Sequence, residues 1–286
     1  MLDILKAFIY GIVEGITEWL PISSTGHLIL LEKIMKFANV SEGFWSMFEV
    51  VIQLGAIMAV VVLFWNQIFP FTNQKGKGFK ETGILAYVDK EIMTMWFKIV
   101  ASCAPAIVFV VVGLDDWCEE HFYNYLVVAV VLIVYGIAFI LIENHNKGKH
   151  AKTHTLAEIT YQQALLIGVF QLLAAVFPGT SRSGATILGA LLIGVSRKVA
   201  AEFTFFLAIP VMFGASLMKL VKFGLAFSGL EAALLLIGML TAFFVSIFII
   251  KFLLGYIKKH DFKVFGWYRI VLGIIVILCF QIFHLA

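Results

Sequence analysis

The sequence is poor in charged residues, and this scarcity limits the kind of protein it can be. Charged residues make up 14% of its 286 positions and hydrophobic residues 62%, whereas soluble domains carry roughly 25% charged residues. Apolar runs of about 20 residues, the length that crosses a hydrocarbon core of about 30 Å, recur along the chain. A soluble fold of this length could not bury them all. The sequence therefore predicts an all-α polytopic membrane protein.

Cysteine is also scarce, and the three cysteines do not form a pattern typical of a metal centre. Cys103, Cys118 and Cys279 are far apart, and no C-x-x-C pair or histidine-rich cluster accompanies them. The cysteines therefore do not indicate a zinc or iron–sulfur site and are interpreted as isolated small apolar residues. A cleaved signal peptide is not expected either, because Glu14 and Glu18 interrupt the first apolar stretch and no small-residue cleavage site follows.

Six apolar stretches are predicted to be full transmembrane helices. Polar connections rich in lysine, glycine and asparagine, such as NQKGKGFKET and ENHNKGKHAKTH, separate them. The predicted spans are residues 44–65, 94–114, 122–142, 198–222, 230–254 and 267–285.

Two further apolar stretches, residues 4–37 and 161–195, are interrupted in the middle by polar turns. The interruptions read PISSTG and PGTSRSG. Each half contains about 15 residues, which is too short to cross the bilayer comfortably. We therefore expect two re-entrant helical hairpins, whose non-helical tips must be buried in protein or line a wet cavity.

The two hairpins open two similar halves of the chain. GIVEGITEWLPISSTG (11–26) aligns loosely with GVFQLLAAVFPGTSRSG (168–184), and three spans follow each hairpin. Residues 1–286 are thus predicted to form a single membrane domain with an inverted-topology repeat, in halves of about 1–143 and 158–286. Such repeats place their broken helices and binding sites near the bilayer midplane.

Lysine and arginine are distributed unequally between the two faces that this topology defines. The larger set, which marks the cytoplasmic face by the positive-inside rule, comprises Lys75, Lys77, Lys80, Lys90, Lys98, Lys147, Lys149, Lys152, Arg197, Lys198, Lys251, Lys258, Lys259, Lys263 and Arg269. The opposite face holds Lys6, Lys33, Lys36, Lys219 and Lys222.

Carboxylates are concentrated near the first interruption. Glu14 and Glu18 are four residues apart, so they share one helix face. An ionised carboxylate at membrane depth costs roughly 2.5–3.5 kcal/mol, and two neighbours also repel each other. They therefore need a counter-cation. The candidates are Arg182, the only arginine in either hairpin, and a bound divalent metal ion such as Mg²⁺ or Ca²⁺.

Hydroxyl side chains lie where the second half of each hairpin begins. Ser23 or Ser24 can cap the first of these helices, and Ser181 or Ser183 the second. Helix N-termini, glycines, hydroxyls and an arginine favour phosphate binding. Addition of His27 and the paired carboxylates makes hydrolytic chemistry feasible. An isolated serine at a helix start is more often a cap than a nucleophile, so the prediction depends on the group as a whole.

At these residues the sequence resembles the undecaprenyl pyrophosphate phosphatase family, also called the bacitracin-resistance protein family. The motifs that carry the resemblance are EGITEWLPISSTGH (14–27), PGTSRSGATI (178–187), FEVVIQLGAI (48–57) and EFTFFLAIP (202–210). The resemblance implies hydrolysis of the terminal phosphate of undecaprenyl diphosphate, with a divalent metal ion as cofactor. It also implies resistance to bacitracin, a site open to the outer face, and a multi-pass protein of the bacterial plasma membrane.

The resemblance places the candidate residues in three motifs. These are an acidic motif of Glu14 and Glu18, a hydroxyl–histidine motif of Ser23, Ser24, Thr25 and His27, and an arginine motif of Ser181, Arg182 and Ser183.

The chemistry of these side chains suggests their roles. Arg182 should bind the diphosphate, because its planar fork suits phosphoryl oxygens and stays charged when buried. Glu14 and Glu18 should hold the metal ion. Ser24 is the candidate nucleophile, with His27 one turn away as acid or base. A metal-activated water that attacks directly, with Ser24 only orienting the phosphate, is the alternative that the sequence leaves open.

Two other classes of protein share part of this pattern. A lipid phosphatase of the vanadium-haloperoxidase type needs a histidine soon after its S-R pair, whereas SGATILGALLIG follows Arg182 here. A flippase or transporter of an anionic polyprenyl lipid or solute would also use broken midplane helices, but it has no need of His27 beside a serine. The expected partners are a polyprenyl diphosphate and membrane lipids, and no nucleic acid; a homodimer is compatible with the sequence.

Overall fold

The computed structural model describes residues 2–71, 78–79, 83–224 and 226–282, and these ranges are helical apart from turns, irregular connections and isolated bridges. The helices are α1 (Leu2–Thr17), α2 (Ser24–Ile34), α3 (Phe44–Val51), α4 (Gln53–Leu63), α5 (Trp65–Ile68), α6 (Lys90–Val111), α7 (Leu114–Phe122), α8 (Tyr125–Asn146), α9 (Tyr161–Val176), α10 (Arg182–Leu192), α11 (Arg197–Phe223), α12 (Gly229–Tyr256) and α13 (Lys263–Ile282), with a 3-10 helix at Ile84–Tyr87.

Six of the helical segments are long and apolar enough to cross a membrane. They are α3 together with α4, α6, α8, α11, α12 and α13, and they match the six predicted spans to within a few residues. The end of the last predicted span, residues 283–285, lies outside the described residues. The prediction of an all-α polytopic membrane protein is confirmed. The short helix α7 was not predicted, since its segment lacks a long apolar run.

The two interrupted stretches form helical hairpins of equal dimensions. Helices α1 and α9 contain 16 residues each, and α2 and α10 contain 11 each. At about 1.5 Å per residue they extend roughly 24 and 17 Å, less than a hydrocarbon core of about 30 Å. In the first hairpin, Tyr10 Oη donates to the carbonyl of Met35 (2.9 Å), so the open ends of α1 and α2 lie side by side. Residues 18–23 form the first tip and residues 177–181 the second.

Each hairpin packs against a span from the other half of the chain. Helix α1 lies on α12, where a Cβ at Gly11 would come 2.6 Å from the carbonyl oxygen of Gly238. Helix α9 lies on α6, where a Cβ at Gly168 would come 2.2 Å from that of Ser102. Gly11 and Gly168 occupy aligned sequence positions and allow the same close helix contact in the two halves.

Several polar connections meet at one end of the bundle. Glu143 forms an ion pair with Arg197 and accepts a hydrogen bond from the Phe262 amide (3.0 Å). Lys98 Nζ donates to the carbonyl of Ala157 (2.8 Å). The connections at 143–160, 196–198 and 255–266 therefore lie at the same end of the bundle. Of the lysines in the predicted cytoplasmic set, Lys75, Lys77 and Lys80 lie outside the described residues.

The placement of Arg269 in the cytoplasmic set is wrong. This residue is fully buried, because α13 begins at Lys263 and carries Arg269 almost two turns into the helix. Counting cations near span ends cannot distinguish a flanking arginine from one that points into the bundle.

The contact between α4 and α12 gives a stability prediction. A Cβ at Gly55 would come 2.0 Å from the carbonyl oxygen of Met239, so Gly55→Ala should force the two helices apart and cost on the order of 1–3 kcal/mol. Thermal unfolding of the detergent-solubilised chain should show a clearly lower Tm. The matched control is Gly214→Ala in α11, where a Cβ meets open space; its Tm should be unchanged or slightly higher. Equal Tm values for the two variants would contradict the packing argument.

Candidate active site

The two tips have the same backbone design. Ser23 caps α2 by accepting a hydrogen bond from the Gly26 amide (3.2 Å), and Ser181 caps α10 by accepting one from the Gly184 amide (3.1 Å). Ser23 and Ser181 are the two non-glycine residues with positive φ in the described chain, at 74° and 67°. This region disfavours L side chains, so the surrounding structure must hold both tips in place.

The caps decide which serines remain available for other contacts. The sequence left Ser23 or Ser24 as the first cap and Ser181 or Ser183 as the second. Since Ser23 and Ser181 take the caps, the hydroxyl of Ser24 is left to contact Glu18 in its own tip, and the hydroxyl of Ser183 reaches Glu18 in the opposite tip.

An ion pair joins the two tips. Arg182 Nη2 donates to Glu18 Oε1 at 2.8 Å, and Arg182 Nη1 donates to the carbonyl of Thr204 at 3.0 Å. Ser24 Oγ donates to the second oxygen of the same carboxylate, Oε2, at 3.1 Å. Ser183 Oγ donates to the backbone carbonyl of Glu18 at 2.9 Å. The structure thus brings together Glu18, Ser24, Arg182 and Ser183, although 164 residues separate the ion pair.

Glu14 lies one helical turn before Glu18 and is fully buried. Neither of its carboxylate oxygens has a hydrogen-bond partner among the described residues. Glu18, Glu49 and Arg182 are close enough to act on it electrostatically. A buried carboxylate without donors is costly unless a cation or a proton neutralises it, so Glu14 fits a divalent cation.

The remaining ligands of such a cation are not all provided by the chain. Within the described ranges, no group of three or more His, Cys, Asp or Glu side chains could hold a metal ion. Glu14 and Glu18 would supply two carboxylates, and hard cations accept phosphate oxygens and water as their other ligands. The donor set therefore suits a cation that binds together with a phosphorylated substrate.

Both ring nitrogens of His27 have hydrogen-bond partners other than the Ser24 hydroxyl. Its Nδ1 lies 2.7 Å from the carbonyl oxygen of Ser23, and its Nε2 lies 2.7 Å from Tyr268 Oη. A carbonyl only accepts hydrogen bonds, so Nδ1 carries the proton and Nε2 accepts from the tyrosine when the ring is neutral. His27 therefore supports the first tip, and it is Glu18 that contacts the Ser24 hydroxyl.

A cavity of about 340 Å³ opens beside the tips. We call it the tip cavity; its lining residues are Ser24, Thr25, Leu28, Glu49, Val50, Gln53, Cys118, Tyr123, Ala174, Ala175, Pro178 and Lys219. Ser24 and Thr25 thus have access to a space that could admit a phosphorylated headgroup. Cys118 and Tyr123 place its mouth near α7, at the end of the bundle away from Glu143 and Arg197.

Arg269 is a candidate functional residue that the sequence interpretation missed. Its Nη2 donates to the carbonyls of Gly179 (3.0 Å) and Thr180 (2.7 Å) in the second tip, and its Nη1 to the carbonyl of Pro21 (3.3 Å) in the first. Its guanidinium also lies over the ring of Tyr135, 5.4 Å from the centroid. Arg269 therefore connects the two tips directly. The feature of the sequence that could have identified Arg269 is its position several residues inside an apolar run.

These features define a class: a polytopic helical membrane protein with a buried carboxylate–arginine–serine cluster between two hairpin tips. The chain belongs to the family of the bacitracin resistance protein BacA, whose profile matches residues 7–275. It is 60% identical to the undecaprenyl-diphosphatase of Desulfitobacterium hafniense over 98% of this chain and 97% of that relative.

Other relatives have similar coverage. The undecaprenyl-diphosphatase 1 of Clostridium acetobutylicum is 60% identical over 98% of both chains. An undecaprenyl-diphosphatase of Enterococcus faecalis is 57% identical over 97% of both.

Proposed function

We propose that this protein is an undecaprenyl-diphosphatase, which hydrolyses the terminal phosphate of undecaprenyl diphosphate to give the monophosphate lipid carrier. Full-length relatives with this name support the proposal. The observation that carries it is the pairing of Arg182 with Glu18 and of Glu18 with Ser24 beside the tip cavity. Release of free carrier from the diphosphate would also account for resistance to bacitracin.

Arg182 binds the diphosphate in this proposal. A guanidinium has five N–H donors, and the contacts with Glu18 and Thr204 leave several of them for phosphoryl oxygens. Glu18 and the Thr204 carbonyl also fix the plane of the guanidinium, so little side-chain order has to be gained when substrate arrives. The hydroxyls of Ser23, Thr25, Ser181 and Ser183 contribute to the polar surroundings of the phosphate, with Ser23 and Ser181 acting mainly as helix caps.

Ser24 acts as the nucleophile in this proposal. Its hydroxyl would form an O–P bond with the terminal phosphorus while the bond to the undecaprenyl monophosphate oxygen breaks, and water would then hydrolyse the phosphoserine. Glu18 orients the Ser24 proton and lies where it could accept it. Direct attack by a bound water, with Ser24 orienting phosphate, uses the same cluster. His27 could serve as acid or base only after its ring leaves Tyr268.

A divalent cation, Mg²⁺ or Ca²⁺, completes the proposed site. Glu14 and Glu18 would hold it, and it would neutralise charge that develops on the transferred phosphoryl group. The fully buried Glu14 carboxylate without donors among the described residues supports this part of the proposal.

The proposed topology is an inverted repeat with two re-entrant hairpins. The equal hairpin lengths, the paired serine caps with positive φ and the reciprocal packing of α1 on α12 and α9 on α6 support it. With the lysine-rich connections in the cytoplasm of a bacterium, the protein would lie in the plasma membrane and the tip cavity would open toward the outer face.

Phosphate release by the purified full-length chain tests the function. In detergent with undecaprenyl diphosphate and Mg²⁺ or Ca²⁺, we expect one phosphate released per lipid and monophosphate lipid as the second product. Chelation of the metal should abolish release, and re-addition should restore it. A chain that binds the diphosphate with metal present but releases no phosphate would instead support the alternative, a flippase or transporter of an anionic polyprenyl lipid or solute.

A further inference from the structure

A second cavity lies at the end of the bundle that we assign to the cytoplasm. Its volume is about 700 Å³, and it shares no lining residue with the tip cavity. The C-terminal ends of α8 and α10, the N-terminus of α11, Ile257 and the connection from Lys147 to Lys152 form its walls. We call it the basic pocket.

The lining of the basic pocket carries an excess of positive charge. Its basic residues are His145, Lys147, Lys149, His150, Lys152, Arg197 and Lys198. The single acidic residue in this lining is Glu143, whose carboxylate is already bound by Arg197 and by the Phe262 amide. Glu202 offsets Lys198 in part, at 3.6 Å. Lys147, Lys149 and Lys152 have no carboxylate partner among the described residues, so the pocket favours an anion.

The backbone around the basic pocket is held in place. The amides of Lys152 and Thr153 both donate to the carbonyl of Gly194, at 2.7 and 3.3 Å, and the Ser196 amide donates to the carbonyl of Thr153 at 3.0 Å. The connection thus closes over the start of α11. The Ser196 side chain does not cap this helix, and the first residues of α11, Arg197 and Lys198, line the pocket together with Ser196.

We propose that the basic pocket binds the phosphate headgroup of an anionic phospholipid from the leaflet that surrounds it. The pocket lies at the ends of the three spans α8, α11 and α12 and of the hairpin helix α10, which in the proposed topology is the level of the lipid headgroups. Leu192, which is 49% exposed, adds apolar surface next to the cations. A lipid has both a phosphate that the lysines can bind and an acyl chain that can contact this apolar surface, whereas free phosphate has only the charge. Each cation near an anionic leaflet adds to the attraction.

The test uses the full-length protein in neutral detergent and does not depend on turnover. Native mass spectrometry measures binding of dioleoylphosphatidylglycerol, with dioleoylphosphatidylcholine as the lipid without net charge. The pocket variant is Lys147→Gln/Lys149→Gln/Lys152→Gln. The matched control is Lys251→Gln/Lys258→Gln/Lys259→Gln, which removes the same charge at the same end but outside the pocket lining. We expect the pocket variant to bind phosphatidylglycerol at least about tenfold more weakly and the control to match wild type.

Three results would overturn the proposal. Equal losses in the pocket variant and the control would mean that the whole basic end attracts anionic lipid without a site. Equal affinity of wild type for the two lipids would remove the charge argument. In the third result, inorganic phosphate would bind wild type but not the pocket variant, while lipid binding would be the same in both proteins. This would assign the pocket to a soluble phosphate. Since none of these readouts is phosphate release, failure of the proposed phosphatase activity would be distinguishable from failure of the lipid site.

Discussion

Arg182→Met is expected to lower kcat/KM for phosphate release by a factor on the order of 10²–10³, the size typical of one lost donor to a developing phosphoryl charge. The variant should also unfold more easily. Glu18 is 7% exposed and would keep a buried carboxylate without its cation, at a cost of about 3–5 kcal/mol. Steady-state phosphate release and thermal unfolding of the same preparation measure the two effects.

The double variant Arg182→Met/Glu18→Gln separates binding from folding. Because the neutral amide no longer needs a counter-ion, most of the lost stability should return. Activity should not return, since the phosphate still lacks the guanidinium and the site has also lost the Glu18 carboxylate. If the double variant regained substantial turnover, Arg182 would serve the fold by balancing Glu18 and would not bind the diphosphate.

Arg269→Met is expected to lower kcat by one to two orders of magnitude with little change in KM. Arg269 is fully buried, and its guanidinium donates to the carbonyls of Pro21, Gly179 and Thr180. Loss of these contacts would let the tips move apart, and a misplacement of about 1 Å in a reacting group can cost a factor of 10². Hydrogen bonds to a charged donor contribute about 1.5–3 kcal/mol each, so the Tm should fall as well.

The conservative variant Arg269→Lys provides the control for this positioning role. An ammonium keeps the charge but cannot span three carbonyls with a planar fork. It should recover part of the stability and only part of kcat, again at nearly constant KM. Rates must be compared at a temperature where unfolding curves show each variant to be folded. A folded Arg269→Met protein with wild-type kcat would show that the link between the tips has no effect on catalysis.

Much of the fold was predictable because its causes are local. Hydrophobic run length located the six spans, and the helical segment Phe44–Leu63 agrees closely with the predicted span 44–65. The polar turns PISSTG and PGTSRSG located the two tips, since proline, glycine and clustered hydroxyls interrupt a helix wherever they occur. The candidate residues Glu18, Ser24 and Arg182 were also found from their rarity in an apolar chain.

Partners of the polar side chains could not be predicted in the same way. From the sequence, Glu14 and Glu18 were equally good candidates for an ion pair with Arg182. In the structure Arg182 pairs with Glu18, and Glu14 has no hydrogen-bond donor among the described residues. The sequence suggested that His27 acts as acid or base for the Ser24 hydroxyl. In the structure His27 instead forms a hydrogen bond with Tyr268, 241 residues away.

Arg269 shows most clearly which features the sequence determined and which depended on the tertiary structure. By itself the sequence determined which segments are helical, how long they are and where they break, since hydropathy, turn chemistry and capping act within a few residues. Only the tertiary structure decided that α13 carries an arginine to the point where both tips meet. Inside an apolar bundle each polar atom must find a partner, and the crossing of helices distant in sequence determines which one it finds.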